Sequence, residues 1–125
     1  MSNSINEIED TKCLLVFGYN AADSHPIVAR RAIKAQEQGA KIIVCDPRYI
    51  ETARIADLYL PLKNGSNIAL LNALAHVIVN ENLYNKAFVA DYTEGFEAYK
   101  EQIAKYTPEY SAGICGVPAD QVRAA

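Results

Sequence analysis

Three short loops carry the polar residues of this sequence that are best suited to holding a charged ligand. They are Gly18 to Ser24, Asp46-Pro47-Arg48, and Lys63 to Asn67. The first and third loops lead into predicted helices, whose free N–H groups attract anions. Asp46 is placed where dinucleotide-binding domains meet a ribose hydroxyl, and Arg48 can hold a phosphate through two parallel hydrogen bonds. These residue types predict a nucleotide-type ligand.

Each loop also has a purely structural interpretation. The acid and the serine that end the first loop can cap the helix that follows, and Gly65 suits any turn that enters a helix. Arg48 can pair with Asp46 or Glu51 instead of with a ligand. The first loop has only Gly18 of the G-x-G-x-x-G fingerprint, so the sequence does not predict a tight pyrophosphate clasp.

The residues that could perform catalysis or bind metals form no recognisable constellation. Cys13, Cys45 and Cys115 share no C-x-x-C spacing, which argues against a zinc or iron–sulfur site. Cys13 and Cys45 lie in apolar runs, and we expect both to be buried thiols in a reducing compartment. His25 and His76 show no metal-ligand spacing and no serine partner. The residues alone therefore predict a binding module without catalytic machinery.

The elements that must position these loops follow a strand–helix–strand order. The apolar run 13–17 predicts a strand covered on both faces, 26–38 a helix, and 41–46 a second strand. A short helix at 52–55 and a third strand at 57–62 follow. A right-handed βαβ unit has parallel strands, so we expect all three loops at the carboxyl edge of one sheet, where open α/β sheets bind ligands.

The rest of the chain is predicted to be helical. In the helix over 68–81, the main apolar face comprises Ile68, Leu71, Leu74, Ala75 and Ile78, and Leu70, Ala73 and Val77 widen it. We expect one α/β domain over 1–125, three-layered and Rossmann-like, with a mainly parallel sheet and flanking helices. It comprises an N-terminal segment at 1–12, a βαβ core at 13–80 and a helical part at 81–125.

Composition and charge exclude several classes of protein. The 12 Lys and Arg residues oppose 15 Asp and Glu residues, for a net charge of −3 without a basic run, so a nucleic-acid partner is not expected. Apolar stretches fall short of the roughly 20 residues that span a membrane, so no membrane partner is expected either. The polar start of the chain does not resemble a secretory signal, and we expect a cytoplasmic protein.

Three motifs, in this order along the chain, resemble the molybdopterin oxidoreductase family. They are VFGYNAADSHPI at 16–27, KIIVCDPRYIETARIAD at 41–57 and LKNGSNIALLNALAHVI at 62–78. The G-Y-N-x-A-D-S-H-P form is similar to that of the catalytic alpha subunits of molybdenum- or tungsten-dependent formate dehydrogenases. The resemblance implies a segment cut from a longer subunit that oxidises formate to CO₂, or runs the reverse reaction, by two-electron transfer.

The same resemblance implies bis-molybdopterin guanine dinucleotide, with Mo or W, as the cofactor of the parent subunit, and this segment as a domain that holds its guanine dinucleotide. The predicted cofactor-binding residues are Gly18, Asn20, Asp23, Ser24, Cys45, Asp46, Arg48, Gly65 and Asn67. Many relatives have Asp in place of Asn67.

The family's catalytic and metal-binding residues have no counterpart in this sequence. The cysteines of the [4Fe-4S] cluster, the metal-ligating Cys or selenocysteine and the catalytic His are expected in the parent, so we expect the isolated chain to be inactive. The remaining domains and an electron-acceptor subunit are the implied partners. The alternative is a free-standing nucleotide-binding or regulatory module without redox activity.

Overall fold

The computed structural model of the chain describes residues 4–125. These residues form two compact units, divided as Met1–Pro61 and Leu62–Ala125. Residues 1–3 of the predicted N-terminal segment lie outside the described residues. The organisation as one α/β domain over 1–125 stays a prediction, and the two units are described in turn.

The first unit contains a three-stranded parallel sheet. Its strands are β1 (Cys13–Phe17), β2 (Lys41–Cys45) and β3 (Leu58–Leu60), in the order β1-β2-β3. The predicted adjacent, parallel pairing of the first two strands is confirmed, as is the mainly parallel sheet with flanking helices. The third strand is shorter than the predicted 57–62, because Pro61 has no N–H to donate to a ladder.

Within residues 4–61, four helical segments accompany this sheet. They are a 3-10 helix at Ile5–Asp10, α1 (Ala21–Ser24), α2 (Pro26–Glu37) and a second 3-10 helix at Glu51–Ile55. The α2 helix is the crossover between β1 and β2. Only the first 3-10 helix and α1 lie where the sequence predicted no helix.

Coverage of the sheet decreases from its central strand to the outer strand β1. On the central strand, Ile42 and Val44 are fully buried and pack in a core with Ile50 and Ala53. On the outer strand β1, Leu15 is 47% exposed, and Cys13 is also exposed. The predictions of a first strand covered on both faces and of a buried Cys13 are therefore wrong, because an apolar run does not reveal that its strand lies at the edge of this sheet.

The second unit is helical. It comprises α3 (Asn67–Asn80), α4 (Lys86–Tyr92), α5 (Phe96–Ile103), α6 (Pro108–Cys115) and α7 (Ala119–Ala124). The α3 helix contacts α5, α6 and α7. The α6 helix lies in the part of the chain predicted to be helical, and Thr107 caps it by accepting a hydrogen bond from the Tyr110 N–H at 3.1 Å.

The buried face of α3 differs from the predicted one. Leu70 and Ala73 are fully buried and Val77 is nearly so, whereas Ile68 is 71% exposed and Ile78 is 44% exposed. The helix carries two overlapping apolar stripes at helical spacing. Its contacts with three other helices select the stripe through position 70, and periodicity alone cannot make that choice.

Asp57, directly before β3, is hydrogen-bonded to residues of β2. We therefore expect acid to destabilise the first unit. Its carboxylate accepts hydrogen bonds from the Ile42 N–H at 2.9 Å, from Gln36 at 3.0 Å and from the Lys41 ammonium at 3.1 Å. These bonds, chiefly that of Ile42, lower the pKa of Asp57 from 3.8 to about 2. The resulting stabilisation is therefore complete above pH 4 and is lost as the pH falls toward 2.

We expect Asp57→Asn to flatten this part of the dependence of the free energy of unfolding on pH. Urea unfolding followed by circular dichroism between pH 2 and pH 5 measures the change. Lys41→Met removes only the cation and leaves the Ile42 bond, so it should remove the smaller part of the dependence. An Asp57→Asn variant that keeps the wild-type slope would contradict the assignment.

Candidate functional site

The first loop begins with a main-chain link between the ends of β1 and β2. Gly18 follows β1 with φ +59°, a left-handed conformation that favours glycine. Its N–H donates a hydrogen bond to the Cys45 carbonyl oxygen at 3.0 Å. The first two loops therefore leave the sheet side by side at the carboxyl ends of adjacent parallel strands.

A polar network with Thr52 at its centre holds the conformation of the first loop. The Thr52 hydroxyl donates to Asn20 Oδ1 at 2.9 Å and accepts from the Ala22 N–H at 3.2 Å, and Thr52 is 3% exposed. Asn20 Nδ2 in turn donates to Asp23 Oδ2 at 2.5 Å. Two of the predicted binding residues, Asn20 and Asp23, are thus in direct contact.

Thr52 was not predicted to be part of the site. Its signal was a small hydrogen-bonding residue in the short helix that directly follows the second loop. That signal is weak because the partner, Asn20, is 32 residues away in the sequence.

The predicted capping role of Asp23 or Ser24 is wrong. The residues at the cap positions of α1 and α2 are Asn20 and His25, and within residues 4–125 neither helix has a side-chain cap. The Ser24 hydroxyl makes no hydrogen bond to any other described residue. The start of α2 therefore keeps the Ile27 N–H and a nearby hydroxyl available for a ligand, because Pro26 has no N–H and the Val28 and Ala29 N–H groups donate to the His25 carbonyl.

Asp46 lies at the carboxyl end of β2 and is 7% exposed. One carboxylate oxygen, Oδ1, accepts the Arg48 N–H at 2.8 Å, and the Asp46 carbonyl accepts the Tyr59 hydroxyl at 2.9 Å. Oδ2 accepts no hydrogen bond from the part of the chain that the structure describes. Asp46 thus closes a local turn and also has an acceptor atom to spare.

The side chain of Arg48 is exposed next to this acid. Its predicted structural partners are not used: Glu51 pairs with Arg54 at 3.2 Å, and Asp46 receives the Arg48 main-chain N–H. No ion pair involves the Arg48 guanidinium among residues 4–125. An unpaired positive charge is therefore left at the strand ends.

Cys45 precedes Asp46 and has a fully buried side chain. Burial raises the pKa of its thiol to about 12, so the group is neutral at physiological pH. A contribution of Cys45 to ligand binding would come from its main chain or from its packing beneath Asp46.

The third loop lies in the second unit, at the start of α3. Gly65, with φ +78°, occupies the third position of a turn in which the Ser66 N–H donates to the Lys63 carbonyl at 3.2 Å. The Ser66 hydroxyl donates to the same carbonyl at 2.6 Å, and no side chain of the described chain caps α3. Asn67 is the exposed first residue of the helix.

The structure thus brings together one part of the predicted site. In the first unit, loops one and two meet at the ends of adjacent strands, and these carry the predicted residues Gly18, Asn20, Asp23, Ser24, Cys45, Asp46 and Arg48. Gly65 and Asn67 lie in the second unit. The convergence of all three loops on one ligand stays a prediction.

Within residues 4–125, no three His, Cys, Asp or Glu side chains are arranged to hold a metal ion. None of the helices formed by these residues has the length and apolar character needed to cross a membrane.

Comparisons with known proteins agree on one family. The family model described as molybdopterin oxidoreductase matches residues 1–109. The chain is 65% identical over its whole length to formate dehydrogenase H of Escherichia coli strain K12. It is 50% identical, over 98% of its length, to the F420-dependent formate dehydrogenase subunit alpha of Methanocaldococcus jannaschii. In each comparison the chain spans 18% of the relative's own length.

A solved structure shows the same relationship in three dimensions. Acetylene hydratase from Pelobacter acetylenicus superposes with a TM-score of 0.85 at 33% identity, over 96% of this chain and 18% of that one. The family match over most of the sequence and this structural similarity agree with the three motifs of the loops. The chain therefore belongs to the molybdopterin oxidoreductase family.

Proposed function

We propose that this chain is the guanine dinucleotide-binding segment of a molybdenum- or tungsten-dependent formate dehydrogenase. Membership of the family supports a molybdopterin-type cofactor. The identities of 65% and 50% to two formate dehydrogenases, against 33% to acetylene hydratase, support formate as the substrate of the parent enzyme.

The hydrogen-bonding groups of the site fit a guanine dinucleotide. Such a ligand combines a pyrophosphate anion with ribose hydroxyls and with the adjacent N1–H and amine donors of guanine. The observation that carries the proposal is Asp46 Oδ2, an acceptor on a residue that is 7% exposed, without a donor among the described residues. This oxygen is not among the buried unpaired atoms of the described residues, so it is open to solvent and can accept a hydrogen bond from guanine or ribose donors.

The remaining groups suit the phosphates. Donors are present in the Arg48 guanidinium, in the Ile27 N–H at the start of α2, and in the first N–H groups of the uncapped α3, and the two helix starts add partial positive charge. Gly18 and Gly65 have open space where a Cβ would stand, measured against the described atoms, so a ligand can approach their main chain. In the proposed complex the first two loops contact the guanine dinucleotide, and the domain that carries them is Rossmann-like.

The residues of this chain bind and orient, and the reaction proceeds elsewhere. When bound, the metal of the cofactor supplies the two-electron chemistry that converts formate to CO₂. In this proposal the ligands of the metal and of the [4Fe-4S] cluster come from other parts of the parent subunit, and a separate electron-acceptor subunit takes the electrons. Three unpaired cysteines support a reducing, cytoplasmic location.

The proposal predicts base-selective binding by the 125-residue chain. Titration of the ¹⁵N-labelled chain with GMP should shift the amide signals of residues 18–24 and 46–48, and AMP should do so only at higher concentration. Adenine has neither an N1–H nor an amine at C2, the two donors that guanine offers to Asp46. Equal affinity for the two nucleotides, or shifts confined to other residues, would contradict the proposal. A free-standing nucleotide-binding module would use the same loops, and the reading frame around this sequence distinguishes the two.

A further inference from the structure

A pair of tyrosine rings lies directly beside Asp46. Tyr49 follows Arg48 in the second loop, and Tyr59 is the middle residue of β3. Their ring centroids are 5.2 Å apart and their planes meet at 83°. This edge-to-face geometry is a favoured arrangement of aromatic rings, so each ring restricts the orientation of the other.

The inner ring is fixed to the candidate site itself. Tyr59 is half-buried, and its hydroxyl donates to the Asp46 carbonyl at 2.9 Å. Burial, together with the charge of Asp46, raises the pKa of Tyr59, which keeps the hydroxyl protonated and able to donate. Asp46, which has the unused carboxylate oxygen, is therefore also the residue that anchors the pair of tyrosine rings.

The outer ring is open to solvent. Tyr49 is 66% exposed even though it contacts Tyr59, so most of its aromatic surface is not used in packing. In the sequence it lies three residues beyond Asp46 and directly after Arg48. An oriented and accessible ring that is linked through Tyr59 to Asp46 is suited to stack on the planar base of a nucleotide.

We infer that Tyr49 is the stacking platform for the nucleobase that binds at Asp46, with Tyr59 as its positioning residue. This inference rests on the proposed function and names the contact that holds the face of the base, whereas Asp46 pairs with its edge or with the ribose. Stacking on an aromatic side chain contributes about 1–3 kcal/mol per base, which corresponds to about 5- to 150-fold in affinity.

The test compares two ligands and two variants of the 125-residue chain. Tyr49→Ala should weaken GMP binding by about 5- to 150-fold, whereas Tyr49→Phe, which keeps the ring, should bind like the wild type. Ribose 5-phosphate has the sugar and the phosphate but no base, so its affinity should not change in Tyr49→Ala. NMR titration measures all of these affinities, and amide spectra show whether each variant keeps the fold.

A second measurement reports stacking without a mutation that could disturb the site. The ring signals of Tyr49, assigned by comparison with Tyr49→Phe, should move upfield on addition of GMP and should not move with ribose 5-phosphate. An unchanged ring signal at saturating GMP, or equal losses for both ligands in Tyr49→Ala, would overturn the stacking role alone. A wild-type chain that binds no GMP would overturn the proposed function as well.

Discussion

Replacing Asp46 by Asn should weaken GMP binding by the 125-residue chain by roughly 10- to 150-fold. An ionised carboxylate only accepts hydrogen bonds, so it can serve the N1–H and the amine of guanine, or two ribose hydroxyls, at the same time. Asn turns one of those acceptors into a donor, which then faces a donor of the ligand. The loss of charge-assisted bonds costs about 1.5–3 kcal/mol. Titration of the variant with GMP, followed by NMR, measures the loss.

The choice of Asn separates the binding role from the turn role of Asp46. Asn retains the Oδ1 atom that accepts the Arg48 N–H at 2.8 Å, so the turn should survive and the unfolding transition should stay close to wild type. Asp46→Ala removes that bond too, and should lower the free energy of unfolding by an additional 0.5–1.5 kcal/mol or so. If the Asn variant bound GMP with wild-type affinity, the role of Asp46 would be limited to holding the turn.

Replacing Ile42 by Ala should lower the free energy of unfolding of the first unit by roughly 2–5 kcal/mol. Ile42 is fully buried on the central strand and packs in the core with Val44, Ile50 and Ala53. Truncation removes buried apolar surface. It also leaves a cavity, because the rigid strand cannot move to fill the space. Amide exchange of the β2 residues measures the effect, because it reports on the first unit alone.

Ile27→Ala is the matched control for this core substitution. It removes the same atoms from α2 at a side chain that is 72% exposed, so its cost should stay within roughly 0.5 kcal/mol. Equal losses at the two positions would show that burial in the sheet core is not what makes Ile42 important.

Local patterns were sufficient to predict the parallel pairing of the first two strands and the position of the first two loops. Two apolar runs separated by an amphipathic helix predict a parallel βαβ unit, because a right-handed crossover leaves no other simple arrangement. Gly18 and Asp46 then follow their strands directly, and both are at the carboxyl ends in the structure. The three motifs also predicted the family, and the family match over residues 1–109 confirms that prediction.

Tertiary structure decided which surfaces are covered and which side chains meet. The exposure of Leu15 depends on β1 lying at the edge of the sheet, and the burial of Leu70 rather than Ile68 depends on the partners of α3. Neither property is encoded in the periodicity of a single element. The bonds from Thr52 to Asn20 and from Tyr59 to Asp46 join residues 32 and 13 positions apart. Such contacts arise only when the chain folds, so the sequence alone indicated the loops, and folding determined which atoms of those loops remain available to a ligand.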